Sequence, residues 1–177
     1  YSGIRWDQLS NVASASGGDT SAGVSPGNGY QYHVWTSPGT LTIENGNVTA
    51  DMLLVAGGGG GGGGMGSHNH AAGGGGAGGI AEVASMPLDA GTYPVTVPTS
   101  NAAGGEGQTP LNAPTGANGG NVTVANTPAG TITAKGGGGG ATGPSGSSNP
   151  GGSGGGGGSS GTQTASSATQ PGTNPSP

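Results

Sequence analysis

The chain has 177 residues, enough for one domain with a tail or two small ones, and its 47 glycines and 13 prolines make up about a third of it. No strict Gly-X-Y period runs through it, which excludes collagen and leaves a composition usually associated with disorder. Seven acidic residues stand against two basic ones, Arg5 and Lys135, for a formal net charge of -5; with no cationic face to neutralise phosphates or anionic lipid, neither nucleic acid binding nor membrane-surface binding is expected, and no apolar run is long enough for membrane insertion.

Two compositional signals oppose one another. Twenty Leu, Ile and Val and no Phe are too few for an ordinary side-chain core, yet the low charge lacks the self-repulsion of a typical disordered segment. The absence of cysteine rules out disulfides and thiolate metal sites, so backbone contacts or partner chains must hold the chain together. The longest apolar run, about seven residues, is too short to cross a bilayer as a helix. The start at Tyr1 reads as a processed product or a fragment of a longer polypeptide.

Three segments follow in chain order. Residues 1–29 form an anchor and linker: Ile4, Trp6 and Leu9 cluster with Arg5 and Asp7, and Ser10 to Gly29 has no periodicity. Residues 30–158 form the glycine-rich domain. Its first hairpin candidate pairs Tyr30 to Trp35 with Thr40 to Ile43 across a turn at Ser37-Pro38-Gly39. Asn45-Gly46 predicts a second turn, and Asp51 to Ala56 an apolar strand of the doubly buried kind. Eight glycines, Gly57 to Gly64, come next, then a loop at Met65 to Ala72 and a second block, Gly73 to Gly79 with Ala77 inside. Ile80 to Ala84 and Thr92 to Val97 read as strands around a Pro87 to Gly91 turn, with Pro94 marking an edge. After an excursion at Asn101 to Gly120, a last hairpin joins Asn121 to Ala125 with Thr131 to Ala134, ahead of Lys135 and the third block, Gly136 to Gly140. A fourth block spans Gly154 to Gly158, and residues 159–177 read as a Ser/Thr/Pro-rich tail.

The expected fold class is therefore all-β and irregular: short antiparallel strands, sandwich-like, that register a bundle of polyglycine II helices, with essentially no α-helix. No segment has the 3.6-residue apolar period, and glycine is among the poorest helix formers. Ordering Gly57 to Gly64 costs about 1 to 2 kcal/mol per residue, while each backbone hydrogen bond returns about 1 kcal/mol. A lone run thus stays disordered, whereas runs aligned by folded strands can order. A helix with three residues per turn and no internal hydrogen bonds suits them, because each N–H and C=O points outward to a neighbour, and eight glycines then span roughly 25 Å.

Trp35-Thr36-Ser37-Pro38-Gly39-Thr40-Leu41-Thr42-Ile43, Asp51 to Gly57 with the glycines after it, Gly73 to Gly79, and Ile132 to Gly136 together resemble the glycine-rich domain of bacteriophage tail-fibre and adhesin proteins, over roughly Tyr30 to Gly158. Trp35 and Leu41 depart from that family's pattern, where Phe is common, and the 101–120 excursion is proline-rich. The resemblance implies a virion structural protein without enzymatic activity, a segment of a tail fibre or similar appendage facing the exterior. Its implied partners are other virion proteins and copies of itself, as a homotrimer, together with a host surface receptor or glycan met by loops at the ends of the glycine helices. Met65, Ser67, His68, Asn69 and His70 are the receptor-contact candidates. Gly66-Ser67-His68-Asn69-His70 is also similar to a motif of trimeric phage fibre tips, which makes His68 and His70 metal candidates: three chains would bring six imidazoles around a transition-metal ion on a threefold axis. The competing reading is a solvated polar loop.

Other patterns carry no chemistry. The glycine runs match phosphate-binding motifs trivially, no lysine follows in the required spacing, and the carboxylates are scattered. Asn47-Val48-Thr49 and Asn121-Val122-Thr123 match the glycosylation sequon and read as chance matches within β-rich segments. Tyr30, Tyr32 and Trp35 offer a platform for stacking sugars, but in a chain with so few aromatic residues they read first as the scarce core. Two alternatives remain: a purely structural extracellular glycine-rich fibre or coat component, and an ice-binding polyglycine bundle, against which the lack of regularly spaced Thr and of disulfides argues.

Overall fold

The computed structural model describes residues 13–20, 23–25, 27, 29–64, 70–100, 102–106, 113–143, 146–159 and 163–170. The cluster around Ile4 and Trp6, and Met65, Ser67, His68 and Asn69, lie outside them. Within the described residues the chain is all-β and contains no helix. Five strands, β1 (Ser14–Ser16), β2 (Gly39–Val55), β3 (Ile80–Thr96), β4 (Val122–Thr127) and β5 (Gly130–Ala134), form one antiparallel sheet in the order β1-β2-β3-β4-β5.

The strands differ in length from the sequence expectation. β2 and β3 each run for 17 residues, and the two predicted turns at Asn45-Gly46 and Pro87 to Gly91 lie inside them. The register explains why. Ile43 pairs with Gly91 and Asn47 with Asp89, so residues 44–46 bulge opposite a shorter stretch of β3, with Asn45 at φ 55° and Gly46 at φ 125°. A second bulge, between Ala50/Met86 and Met52/Val83, puts Ser85 at φ 54°, and the Asp51 carboxylate accepts its N–H at 2.7 Å. Each bulge reverses side-chain parity. The buried residues Val83, Met86, Leu88, Tyr93 and Val95 therefore stay on one face although two of their spacings are odd. Removing the bulge clamp by Asp51→Ala is expected to lower stability by about 1 kcal/mol, measured by chemical denaturation of the full chain.

Thr40 to Ile43 pair with Gly91 to Pro94, not with Tyr30 to Trp35. β4 pairs with β3 at Val95 and Thr96, so among the described residues β3 before them has no strand on that edge, a setting in which Pro87 and Pro94 are tolerated. The residues read as a linker also take part in the fold. Ser14 to Ser16 pair with Thr42 to Glu44, Val24 bridges to Tyr32, and the His33 Nδ1 lies 2.8 Å from the Gly17 carbonyl oxygen.

One core forms from Ile43, Leu54, Ala56, Val83, Met86, Leu88, Tyr93, Val95, Val122, Val124, Ile132 and Ala134. Trp35 packs against it, half-buried, but Tyr30 is 66% exposed and Tyr32 53% exposed. This corrects the expectation that all three aromatic residues serve as core. Tyr30 and Tyr32 lie outside the five strands, on a segment whose Trp35 packs against the core.

Candidate functional site: a glycine bundle and its loop end

The glycine runs are continuations of strands. β2 runs into Ala56 to Gly64, the segment from His70 to Gly79 runs into β3, residues 113–121 run into β4, and β5 runs into Lys135 to Gly143. Strand register carries over into the bundle: Val55 pairs with Ile80, and the next residue, Ala56, donates its N–H to Gly79 O at 3.0 Å. From there the partners advance in steps of three. Gly59 donates to Gly76 and Gly62 to Gly73, while Gly57, Gly60 and Gly63 donate to Gly120, Ala117 and Pro114. A three-residue step is the period of polyglycine II, and no described glycine of these runs has positive φ.

The bundle is centred on Gly136 to Gly140. Every N–H and C=O of these five residues is paired. Gly137 and Gly140 donate to Gly57 and Gly60, Gly138 donates to Ser153, and their carbonyls accept from Gly119, Gly116 and Gly76. The carbonyls of Gly136 and Gly139 accept from Gly152 and Asn149. On one side the acceptors are side chains: Asn121 and Asn118, three residues apart, take the N–H groups of Gly136 and Gly139 at 2.9 Å each. Such full satisfaction is what lets a run without side chains be buried.

Side-chain absence is a steric requirement here. A Cβ at Gly139 would lie on the Gly116 carbonyl oxygen, at Gly136 on that of Gly119, and at Gly62 on that of Ala141. Outward rows are roomier. At Gly58, Gly61 and Gly64 the nearest atom to an added Cβ would be 3.5, 3.7 and 3.6 Å away, and at Gly74 nothing lies within 4 Å.

Residues 163–170, read as part of a tail, join the bundle. Ser166 and Thr169 donate backbone N–H groups to Gly155 and Gly151, Ser148 Oγ contacts both Thr164 O and Ser166 Oγ, and Gln170 Oε1 accepts from Lys135 N. Sequence periodicity missed this segment because it pairs through backbone and small hydroxyls rather than through apolar side chains.

The bundle has a sheet end and a loop end. At the loop end Gly143 donates to Gly63, Ser159 donates to Ala71, and a Cβ on Gly63 would meet Glu106 O and, at 2.9 Å, the Ala113 Cβ. Connections 65–69, 107–112, 144–145 and 160–162 all leave the described residues from here. His70, half-buried, lies at this end beside Gly64 and Gly143. Among the described residues no three His, Asp or Glu side chains are grouped as metal ligands, and His70 is the one described imidazole at this end.

A family described as Glycine-rich domain matches residues 35–176. The chain belongs to this family. No curated protein and no solved structure matches it. The glycine-rich domain match begins at Trp35, just before β2, and runs through all the bundle segments.

Proposed function

We propose that this glycine-rich domain is a bacteriophage virion structural protein, a segment of a tail fibre or similar appendage that holds its loop end toward the host surface. One observation carries the reading: four connections leave together from the end of a close-packed bundle whose opposite end is registered by a sheet. A bundle with its backbone mutually hydrogen-bonded is a spacer of defined length, and connections at its tip tolerate substitution without disturbing it. The protein acts by shape and binding, at the virion exterior, with Met65, Ser67, His68, Asn69 and His70 as contact residues. Finding the chain in purified virions tests the setting. Replacing residues 65–69 by Gly and Ser at equal length is expected to abolish adsorption to host cells and to leave the strand signal in circular dichroism unchanged; unaltered adsorption would favour a purely structural fibre component.

Association with copies of itself is part of the proposal. Leu53, Val55 and Ile80 are 67, 58 and 60% exposed, and Val55 pairs directly with Ile80 across β2 and β3. Three large aliphatic side chains in one surface patch suit burial between chains. Ile80→Lys is expected to shift the assembly toward monomer in analytical ultracentrifugation. A transition-metal ion held by His68 and His70 of three copies is the companion proposal, and metal content per trimer that vanishes in His70→Ala would support it.

A further inference from the structure

The segment holding Tyr30 and Tyr32 has two faces of different character. Its inner face is fixed. His33 and Trp35 stack with ring centroids 6.0 Å apart and an interplanar angle of 28°, and Trp35 reaches the core. The rings lie close over backbone, since an added Cβ would sit 2.8 Å from the His33 ring at Gly23 and 2.9 Å from Trp35 Cδ1 at Gly39. Val24 and Tyr32 exchange both backbone hydrogen bonds, at 2.8 and 2.9 Å, and Asp19 donates its N–H to Val34 O at 2.8 Å. The backbone under the outer face is thus held at three points.

That outer face carries Val24 (56% exposed), opposite Tyr32, and Tyr30 and Val34 (60% exposed), two positions to either side of it. Side chains two apart on an extended segment share a face, about 6.6 to 7 Å apart. The chain has four tyrosines, two tryptophans and no phenylalanine, and it builds its bundle without side chains for want of apolar ones. Two of its six Tyr and Trp side chains nevertheless stand more than half exposed on this braced ribbon.

We infer that the Tyr30/Tyr32 face is a stacking platform for a neutral glycan. Charge complementarity selects the ligand. Residues 20–35 contain no Asp, Glu, Lys or Arg, and the neighbouring Asp19 carboxylate is taken up by Thr36, at 3.2 Å to its N–H and 3.0 Å to its Oγ1. An acidic chain with two basic residues repels polyanions and gains little from anionic lipid. Tyrosine joins an apolar ring to a polar tip, matching the C–H face and hydroxyl rim of a pyranose, which a purely aliphatic patch such as Leu53/Val55/Ile80 does not. Ser25, next to Val24, and Thr36 and Ser37, which follow Trp35 in the chain, are exposed hydroxyl residues.

The inference takes its biological setting from the host-attachment reading and names a ligand class for it. The test titrates the full chain with maltohexaose, cellohexaose and dextran, with polysialic acid and phosphatidylglycerol vesicles as charged probes, by calorimetry and saturation-transfer NMR. At least one neutral probe is expected to bind with saturation transfer to the tyrosine rings. Tyr30→Leu and Tyr32→Leu, which keep an apolar side chain but remove the ring, should each weaken binding about fivefold, while Tyr32→Phe should retain it. No binding of any neutral probe at millimolar concentration, preference for the charged probes, or unchanged affinity in both Leu variants would overturn the platform. Adsorption of wild type and loop variant to host cells separates the two readings: a chain that adsorbs but binds no neutral glycan loses only the platform, and one that binds glycans but never adsorbs loses only the attachment reading.

Discussion

Gly139→Ala is expected to lower the stability of the full chain by about 3 kcal/mol or more, a cost above ordinary overpacking. Gly139 lies in the central run, with both backbone groups paired, and an added Cβ would coincide with the Gly116 carbonyl oxygen and come within 3.2 Å of the Ala117 carbonyl carbon. These obstructing atoms are backbone, themselves hydrogen-bonded, so no side chain can swing aside. Displacing one run by a few tenths of an ångström would disturb every run bonded to it. Gly74→Ala is the matched control. Nothing lies within 4 Å of its Cβ position, and Ala71 and Ala77, one turn away on either side, already place methyl groups on the same outward row. It should be neutral or stabilise by about 0.5 kcal/mol by restricting the unfolded chain. Thermal melting followed by circular dichroism distinguishes the pair, and equal effects of the two substitutions would refute close packing of the runs.

The joint replacement Asn118→Leu and Asn121→Leu is expected to cost about 2 to 6 kcal/mol, as each leaves a buried glycine N–H without an acceptor at about 1 to 3 kcal/mol. The two sites are about 9 Å apart along their run and share no partner, so their effects should add. Amide exchange gives the specific readout: Gly136 loses protection in Asn121→Leu and Gly139 in Asn118→Leu, while the other member of the pair stays protected. Asn121→Asp, which keeps an acceptor oxygen at an exposed position, should retain protection at Gly136. Uniform loss of protection across the bundle in each single variant would instead mean that the asparagines act by general packing.

Much of the fold is legible in residue order. Alternation in Val122-Thr123-Val124 and Thr131-Ile132-Thr133 marks the β4–β5 hairpin, and the pairings Val122↔Ala134 and Val124↔Ile132 are those a short turn at Pro128 to Gly130 permits. The long ribbon was not legible as such. Asn45-Gly46 has the composition of a hairpin turn, and only pairing with β3 shows it to be a bulge; the odd spacing from Ile43 to Val48 is the one local sign of it. The candidate site divides in the same way. Its glycine runs are plain in the sequence, but not their neighbours, since glycine has no side chain by which one run differs from another.

Composition and order alone determine that the described residues fold without helix, that the strands precede or follow glycine runs, and that those runs can order only together. Length alone would favour Gly57 to Gly64, the longest run, as the centre. The tertiary structure decided otherwise: Gly136 to Gly140 is the central run, while Gly57 to Gly64 keeps one outward row at Gly58, Gly61 and Gly64. The reason is topological. A polyglycine run gains stability from the number of neighbours that pair with it, and strand register, with the Asn118 and Asn121 side chains as acceptors on one side, decides which run is surrounded.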